Sequence, residues 1–275
     1  MHESFYLNRS SGWHALHPLT KLAAALAILV TAFSVRWMFV SVALFVLVVL
    51  PLAGYGRIWR EVLHATFTII LPLAVSLALV QGFFYPGAQE VLWQMGPFAL
   101  KREGLEFAFV TGTRLVVIAS VGLLVVYATH PADLALALVQ AGAPFSLAYI
   151  AVTAIQLLPE MQGRAASILN AQQARGLETQ GNLLVRVRAF FPLIAPLVYG
   201  ALENVQERAL ALDARAFRAP RAKTSWRELQ DSPAQRASRW LLVSYAIVLL
   251  LISLALPLVS LISLLASLIS LLVFR

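Results

Sequence analysis

The chain alternates long apolar stretches with short polar segments, and this pattern predicts membrane-spanning helices. A helix that crosses the hydrocarbon core of a bilayer needs about 20 mostly apolar residues. Stretches of this kind occupy residues 22–35, 37–56, 62–89 and 105–128. The first is short, and we expect Lys21 to extend it by snorkelling its ammonium group to the interface. Gly82 and Pro86 are expected to end the third helix early.

The C-terminal tail carries no charged residue between positions 240 and 274. A continuous helix of that length would measure about 52 Å, whereas the hydrocarbon core is about 30 Å thick. Pro257 is the expected break, because proline removes a helical hydrogen bond. We therefore predict a fifth span at 239–256, followed by a segment at 258–274 that is either a sixth span or an interfacial helix.

The composition supports a membrane protein. Of the 275 residues, 60% are hydrophobic and 12% are charged, whereas about a quarter of an average domain is charged. A water-soluble fold would have too few polar residues to cover its surface, which excludes a soluble enzyme and a disordered chain. The absence of cysteine excludes a disulfide scaffold. The predicted fold class is all-α, a polytopic helical membrane protein in the lipid bilayer.

Basic residues concentrate between positions 160 and 239, where twelve Lys and Arg face seven Asp and Glu. Basic residues between apolar spans are typical of cytoplasmic loops and do not indicate nucleic-acid binding. We therefore place this segment, and the loop with Arg57 and Arg60, in the cytoplasm. Four spans that start from a cytoplasmic N-terminus return the chain to that side near residue 130. The less basic connector at 83–106 is then expected outside.

The apolar segment 134–159 is ambiguous. If it crossed the membrane, the basic segment would lie outside, but Pro144 divides it into two pieces that are short for a span. We expect helices on the cytoplasmic side here, while an ordinary span with reversed topology stays open. The predicted organisation is a four-span membrane domain at 1–130, a cytoplasmic coupling-helix module at 131–238, and a membrane helix or hairpin at 239–275.

Two predicted helices of the middle module end in similar tripeptides. The first helix runs from 160 to 175 and is rich in small residues, and the second has an apolar stripe from 202 to 216. Their ends read Ala174-Arg175-Gly176 and Ala214-Arg215-Ala216. An arginine there complements the negative end of the helix dipole and can bind a partner's carboxylate with two hydrogen bonds. The duplication favours a docking surface, and the alternative is a pair of arginines that merely flank the membrane.

Two further arginines lie on the same helix faces as these ends. Arg164 precedes Arg175 by three turns, and Arg208 precedes Arg215 by two turns. We regard Arg164 and Arg208 as candidate secondary coupling contacts.

An ordered set of short motifs resembles one transporter family. The motifs are LHPLTKL at 16–22, FYPG at 84–87, THPADL at 129–134, LPE at 158–160, AQQARG at 171–176, FP at 191–192 and LALDARAF at 210–217. In this order they resemble the transmembrane T component (EcfT/CbiQ-like) of energy-coupling factor (ECF) transporters, a branch of the ABC importers. The resemblance covers roughly residues 15 to 256.

The resemblance implies a function and a set of partners. The two arginine-containing ends would terminate coupling helices that dock in grooves of two cytoplasmic ABC-type ATPase subunits, with Arg175 and Arg215 meeting acidic residues there. ATP-driven motion would pass to a small substrate-binding membrane subunit, the S component, for uptake of a vitamin or metal ion. Such a complex lies in the bacterial or archaeal inner membrane. Ala216 stands where the family has Gly, which leaves the geometry of the second end open.

No catalytic site is expected in this chain. It lacks the phosphate-binding pattern G-x-x-x-x-G-K-[ST], so the resemblance assigns ATP and Mg to the partner ATPases and no cofactor to this chain. We also expect no metal site, because four histidines lack the paired spacing of ligands: His14, His17, His64 and His130.

Arg114 lies within the fourth span. Charges inside the membrane are commonly functional, so a transport site is one interpretation. We prefer the other, in which Arg114 is near enough to one helix end to pair with a carboxylate or to snorkel.

Two other transporter classes stay open as alternatives. The permease subunit of a conventional ABC importer would need one coupling loop, whereas two arginine-containing ends are present here. A secondary transporter would show inverted repeats and polar groups at mid-membrane, neither of which is clear in this sequence.

Overall fold

The computed structural model describes residues 7, 9, 11–35, 37–86, 90–95, 98–178, 182–217, 219 and 229–273, and most of them are helical. The helices are α1 (Gly12–Ala15), α2 (Pro18–Ser34), α3 (Val40–Leu44), α4 (Leu50–Tyr55), α5 (Trp59–Phe84), α6 (Arg102–Ala128), α7 (Pro131–Gln140), α8 (Phe145–Ala174), α9 (Leu183–Ala214) and α10 (Pro233–Val273). The strands β1 (Val91–Met95) and β2 (Phe98–Lys101) form an antiparallel hairpin. The predicted all-α class is confirmed.

The chain divides into two compact units. The membrane unit comprises residues 3–138 and 229–275, and the helical pair lies within residues 139–228. Within the described part of the membrane unit, three helices are long and apolar enough to cross a bilayer: α5, α6 and the Pro233–Ala255 part of α10. The apolar helix α2 and the helical stretch Val40–Tyr55 are shorter. The protein is a membrane protein.

A π-helical turn interrupts the stretch Val40–Tyr55. It covers Phe45–Val49, and the N–H of Leu50 bonds to the carbonyl of Phe45, five residues earlier. Pro51 follows directly. Since proline has no N–H and its ring crowds the carbonyl four residues before it, a wider turn relieves the conflict without ending the helix.

Small and branched apolar residues form the core of the membrane unit, and α6 packs on both α5 and α2. One buried cluster joins α1, α4, α5 and α6: Trp13, Ala53, Ile58, Val62, Leu124 and Ala128. A second joins α2 to the π-helical turn and α6: Ile28, Ala32, Val49, Val117 and Val121. The alanines matter because, in lipid, helices associate through close van der Waals contact rather than through release of water.

The structure corrects three sequence-based expectations in the membrane unit. The connector after α5 contains the β-hairpin, which the sequence analysis did not predict. Helix α10 continues through Pro257 to Val273, so the predicted break there is wrong. Lys21 is only 2% exposed and lies inside the unit, so the snorkelling prediction is also wrong.

The helical pair consists of two helices longer than predicted. Pro144 is the residue before α8, so the predicted break there is confirmed. Pro159 lies inside α8, and Pro192 and Pro196 lie inside α9. Each proline removes one helical hydrogen bond without ending its helix. Glu160 therefore lies in the middle of α8, and the expectation that it opens a helix is wrong.

Candidate functional site: two arginine-tipped helix ends

Helix α8 ends in a Schellman motif centred on Arg175. Arg175 caps the helix with φ −89° and ψ 9°, and Gly176 then takes the left-handed conformation with φ +88°. The N–H of Gly176 donates to the carbonyl of Gln173 at 2.9 Å, and the N–H of Leu177 donates to that of Gln172 at 3.0 Å. These two bonds define the motif and satisfy carbonyls that the helix leaves without a partner.

Helix α9 ends in the same way, although its left-handed residue is not glycine. Arg215 has φ −88° and ψ 10°, and Ala216 has φ +53°. The N–H of Ala216 donates to the carbonyl of Asp213 at 2.9 Å, and the N–H of Phe217 donates to that of Leu212 at 3.0 Å. The end of α9, whose geometry was left open because Ala216 replaces glycine, is therefore the same Schellman motif as the end of α8.

Both arginines at the helix ends are accessible. Arg175 and Arg215 are exposed, and neither guanidinium forms an ion pair with another described residue. The flanking small residues are exposed as well: Ala174, Gly176, Ala214 and Ala216. Each tip thus presents a free positive charge beside the partly negative carbonyl end of a helix, on a surface that another protein can approach closely.

The two tips lie at opposite ends of an antiparallel pair. Phe217, just after α9, packs on Phe145 and Tyr149 at the start of α8, with ring centroids 5.7 and 5.2 Å apart. Arg215 therefore lies beside the first turns of α8, whereas Arg175 terminates that helix. Measured along α8, the 26 residues from Tyr149 to Arg175 correspond to about 39 Å. A single small binding surface cannot receive both tips.

A polar cluster joins α8 to α9 near their middle. Glu160 Oε1 accepts hydrogen bonds from Arg164 at 3.0 Å and from Asn204 at 2.9 Å, and Glu160 Oε2 accepts one from Arg208 at 2.9 Å. Arg164 also donates to Asn204 Oδ1 at 2.9 Å and to the carbonyl of Gly200 at 3.3 Å. One carboxylate thus binds two guanidinium groups, and its bonds to Asn204 and Arg208 join α9 to α8 at this level.

The two candidate secondary contacts belong to this cluster. The side chains of Arg164 and Arg208 are each 38% exposed while bound to Glu160. Their predicted contact with a partner is not tested by these bonds, because side chains so exposed can bind a second group. The cluster itself was not predicted from the sequence. The available signal was the i,i+4 spacing of Glu160 and Arg164, which places an acid and a base on one face of α8.

A second polar cluster lies at the start of α2, where two of the family-like motifs meet. Lys21 Nζ donates to the carbonyl of Ala128, the last residue of α6, at 2.8 Å and to that of His14 at 3.1 Å. The N–H of His17 donates to Gln235 Oε1 at 2.9 Å, which ties the start of α2 to the start of α10. This bonding role of Lys21 was not predicted from the sequence, which indicated only snorkelling.

Arg114 lies near the centre of α6 and does not pair with a described carboxylate. Its guanidinium lies over the ring of Phe33 of α2, 5.6 Å from the centroid. The nearby acid Glu106 binds Arg102 instead, at 2.9 Å. The expected pairing with a carboxylate near the helix end is therefore wrong for the residues that the structure describes.

These features define a class of protein: a helical membrane protein with an antiparallel helical pair whose two ends each carry an exposed arginine. The profile of the family CbiQ, described as cobalt transport protein, matches residues 9–226. The chain belongs to this family of membrane transport components.

Curated relatives extend over nearly the whole chain. Two of them are called energy-coupling factor transporter transmembrane protein EcfT. The one from Exiguobacterium sibiricum is 28% identical over 260 residues, which cover 91% of this chain and 92% of the relative. The one from Listeria innocua is 29% identical over 264 residues, again covering 91% and 92%. The resemblance to the T component that the motifs indicated is confirmed.

Proposed function

We propose that this chain is the energy-coupling transmembrane subunit of an ECF-type ABC importer. It passes ATP-driven motion from two cytoplasmic ATPase subunits to a substrate-binding membrane subunit that takes up a vitamin or metal ion. The observation that carries the proposal is the pair of identical Schellman ends with exposed arginines at opposite ends of α8 and α9. Two separated tips of the same geometry fit two similar partners better than one.

Each tip suits a groove lined with carboxylates. A guanidinium at a helix end offers several N–H donors in a fixed plane, and an acidic residue binds it through two charge-assisted hydrogen bonds. Small residues beside each arginine allow the helix end to enter a narrow groove. A conventional ABC permease would need a single such contact, so the duplication favours the ECF-type assembly.

The helical pair is suited to transmitting displacement. The bonds of Glu160 to Asn204 and Arg208 connect α8 to α9 between the tips, so the crossing resists sliding when the ATPases move the ends. Large apolar side chains of α9 remain exposed: Tyr199, Leu202 and Val205. They form the proposed contact surface for the substrate-binding subunit. No chemistry is assigned to this chain, since ATP and Mg are bound by the partners.

The test combines complex assembly with transport. The double variant Arg175→Glu and Arg215→Glu should lose both ATPases in a mild-detergent pulldown and abolish ATP-driven uptake, because each tip then repels an acidic groove. Each single variant keeps one tip intact. It should therefore recover less ATPase than the wild type and more than the double variant. Arg60→Glu is the matched control, since it makes the same charge change at an exposed arginine of the membrane unit. Full uptake by the double variant would refute the proposal.

The proposed orientation has a test of its own. The tips should face the cytoplasm of a bacterial or archaeal cell. Because the chain has no native cysteine, single cysteines at Ala174 and Ala214 can be labelled without background. A membrane-impermeant maleimide should react with both in inside-out vesicles and with neither in intact cells. Labelling in intact cells would contradict the proposed topology.

A further inference from the structure

Arg114 is a charged side chain near the middle of α6, a helix long and apolar enough to cross the membrane. It lies 12 residues, about 18 Å, from Arg102 at one end of α6 and 14 residues, about 21 Å, from Ala128 at the other. The hydrocarbon core is about 30 Å thick, so either interface is about 15 Å from its midplane. An arginine side chain is too short to bridge that distance by snorkelling. A lipid headgroup is therefore a poor partner for Arg114.

The described residues of this chain offer Arg114 no acceptor. No hydrogen bond or ion pair joins its guanidinium to another described residue, and its buried Nε has no partner there. The ring of Phe33 supplies a cation–π contact, which stabilises a cation but accepts no N–H in the plane of the guanidinium.

The surroundings of Arg114 are open and apolar. Arg114 is itself half-buried, and Ile118, one turn further along α6, is exposed. Phe33 on α2 is 52% exposed. A helix that lies on this surface would therefore cover apolar side chains around one positive charge.

We propose that Arg114 is the docking point for a carboxylate carried at mid-membrane by a helix of the substrate-binding membrane subunit. The inference rests on the proposed function, because that function supplies a membrane partner. Charge complementarity selects the chemistry of the partner: a guanidinium in hydrocarbon needs an anion with oxygen acceptors, and an aspartate or glutamate provides both. The exposed apolar side chains beside it fit the rest of a membrane helix.

The pairing would give the complex a defined register. An isolated carboxylate at this depth is strongly unfavourable in lipid, so the partner helix gains most when its acid meets Arg114. The contact with Arg114 would thus fix the depth and rotation of the partner helix in the membrane. The surrounding apolar contacts would provide most of the buried surface. Polar side chains that hydrogen-bond between membrane helices stabilise the association of those helices.

The experiment uses the complete complex in mild detergent. Arg114→Gln should lower recovery of the small membrane subunit about tenfold or more while the ATPases stay bound. Arg114→Lys should retain an intermediate amount, because it keeps the charge. Arg102→Gln is the control, since Arg102 already binds Glu90 and Glu106 of its own chain, and it should recover the subunit normally.

A second variant keeps the inference testable if Arg114→Gln fails to fold. Ile118→Cys in a chain with Arg114 intact, labelled on its thiol with a benzophenone maleimide, should form a covalent adduct with the small subunit on illumination, by insertion of the excited ketone into a C–H bond. The absence of this adduct would overturn the inference. Unchanged recovery of the small subunit with Arg114→Gln would overturn the inference too. So would a result in which Arg114→Gln loses a bound phospholipid but keeps the small subunit. If the wild-type chain recovers ATPases and the small subunit, the proposed function stands whatever Arg114→Gln does. If it recovers neither, both proposals are refuted.

Discussion

Ala216 occupies in α9 the position that Gly176 occupies in α8, with φ +53° against φ +88°. In both cases the following N–H reaches back to the carbonyl five residues earlier, at 3.0 Å. A left-handed conformation costs an alanine about 1–2 kcal/mol relative to its right-handed form, a penalty that glycine does not have. The second tip is thus the same structure built on a less favourable residue.

Ala216→Gly should stabilise the end of α9 by about 1 kcal/mol, because the left-handed strain exceeds the extra chain entropy of glycine. Amide hydrogen exchange at Ala216 and Phe217 should slow, and the thermal midpoint in detergent should rise or stay level. The reverse change, Gly176→Ala, is the matched control and should speed exchange at Leu177. Faster exchange in Ala216→Gly would show that the alanine methyl makes a stabilising contact.

Glu160→Ala should weaken the crossing of α8 and α9. Two guanidinium groups lose their carboxylate, and since the three side chains are about one-third exposed, we expect a loss of about 1 kcal/mol. A double-mutant cycle with Arg208→Ala measures the coupling in thermal unfolding. Glu203→Ala, at an exposed site on α9, should leave stability unchanged. Additive effects of Glu160→Ala and Arg208→Ala would rule out the proposed role of the cluster.

Lys21→Met should destabilise the membrane unit by about 1–3 kcal/mol, because the buried carbonyl of Ala128 and the partly buried carbonyl of His14 lose this donor. The thermal midpoint of the purified protein measures the effect. Lys101→Met is the control: Lys101 also donates to a carbonyl, that of Tyr85, at 2.9 Å, but it is less buried. Equal midpoints for Lys21→Met and the wild type would show that the bonds of Lys21 contribute nothing.

The stability of the membrane unit should fall as the pH drops below 6.5. Burial of the imidazole, together with the charge of Lys21, holds the pKa of His14 below its ordinary value of 6.5. At higher pH the His14 imidazole is neutral in the folded and in the unfolded protein. As the pH falls below 6.5, His14 binds a proton in the unfolded chain before it does so in the folded protein. The free energy of unfolding therefore decreases until the folded protein is protonated at His14 as well.

His14→Gln should remove this part of the pH dependence. Thermal midpoints between pH 7.5 and about pH 5.5 provide the measurement, over the range below the ordinary histidine pKa. His64→Gln, at an exposed position of α5, serves as the comparison and should keep the wild-type slope. If His14→Gln also keeps the wild-type slope of thermal midpoint against pH, a group other than His14 causes that pH dependence.

Local features explain what could be predicted. The apolar stretches predict the helices α5 and α6 because the length of a membrane span depends only on a run of neighbouring residues. The tip at Gly176 was predictable for the same reason, since the Schellman motif involves six consecutive residues. Pro257 misled the prediction because a helix can tolerate the loss of one hydrogen bond when its flanking residues favour helix.

The roles of individual charges could not be predicted in this way. Lys21 and Arg114 look alike in the sequence, as single basic residues in apolar surroundings. One lies within reach of two carbonyls from other segments, and the other faces a phenylalanine ring. The partner of each charge lies about 80 to 107 residues away in the sequence, so a local sequence pattern cannot predict which residue it contacts.

The sequence alone determined that this is a helical membrane protein with two arginine-tipped helices in a basic segment, and its ordered motifs indicated the family. These properties follow from composition, hydrophobic runs and short motifs. Only the tertiary structure decided that α8 and α9 run antiparallel, with the tips at opposite ends and Glu160 between them. The reason is physical: the direction of a helix pair is set by contacts between side chains 40 to 70 residues apart, such as Glu160 with Arg208 and Tyr149 with Phe217.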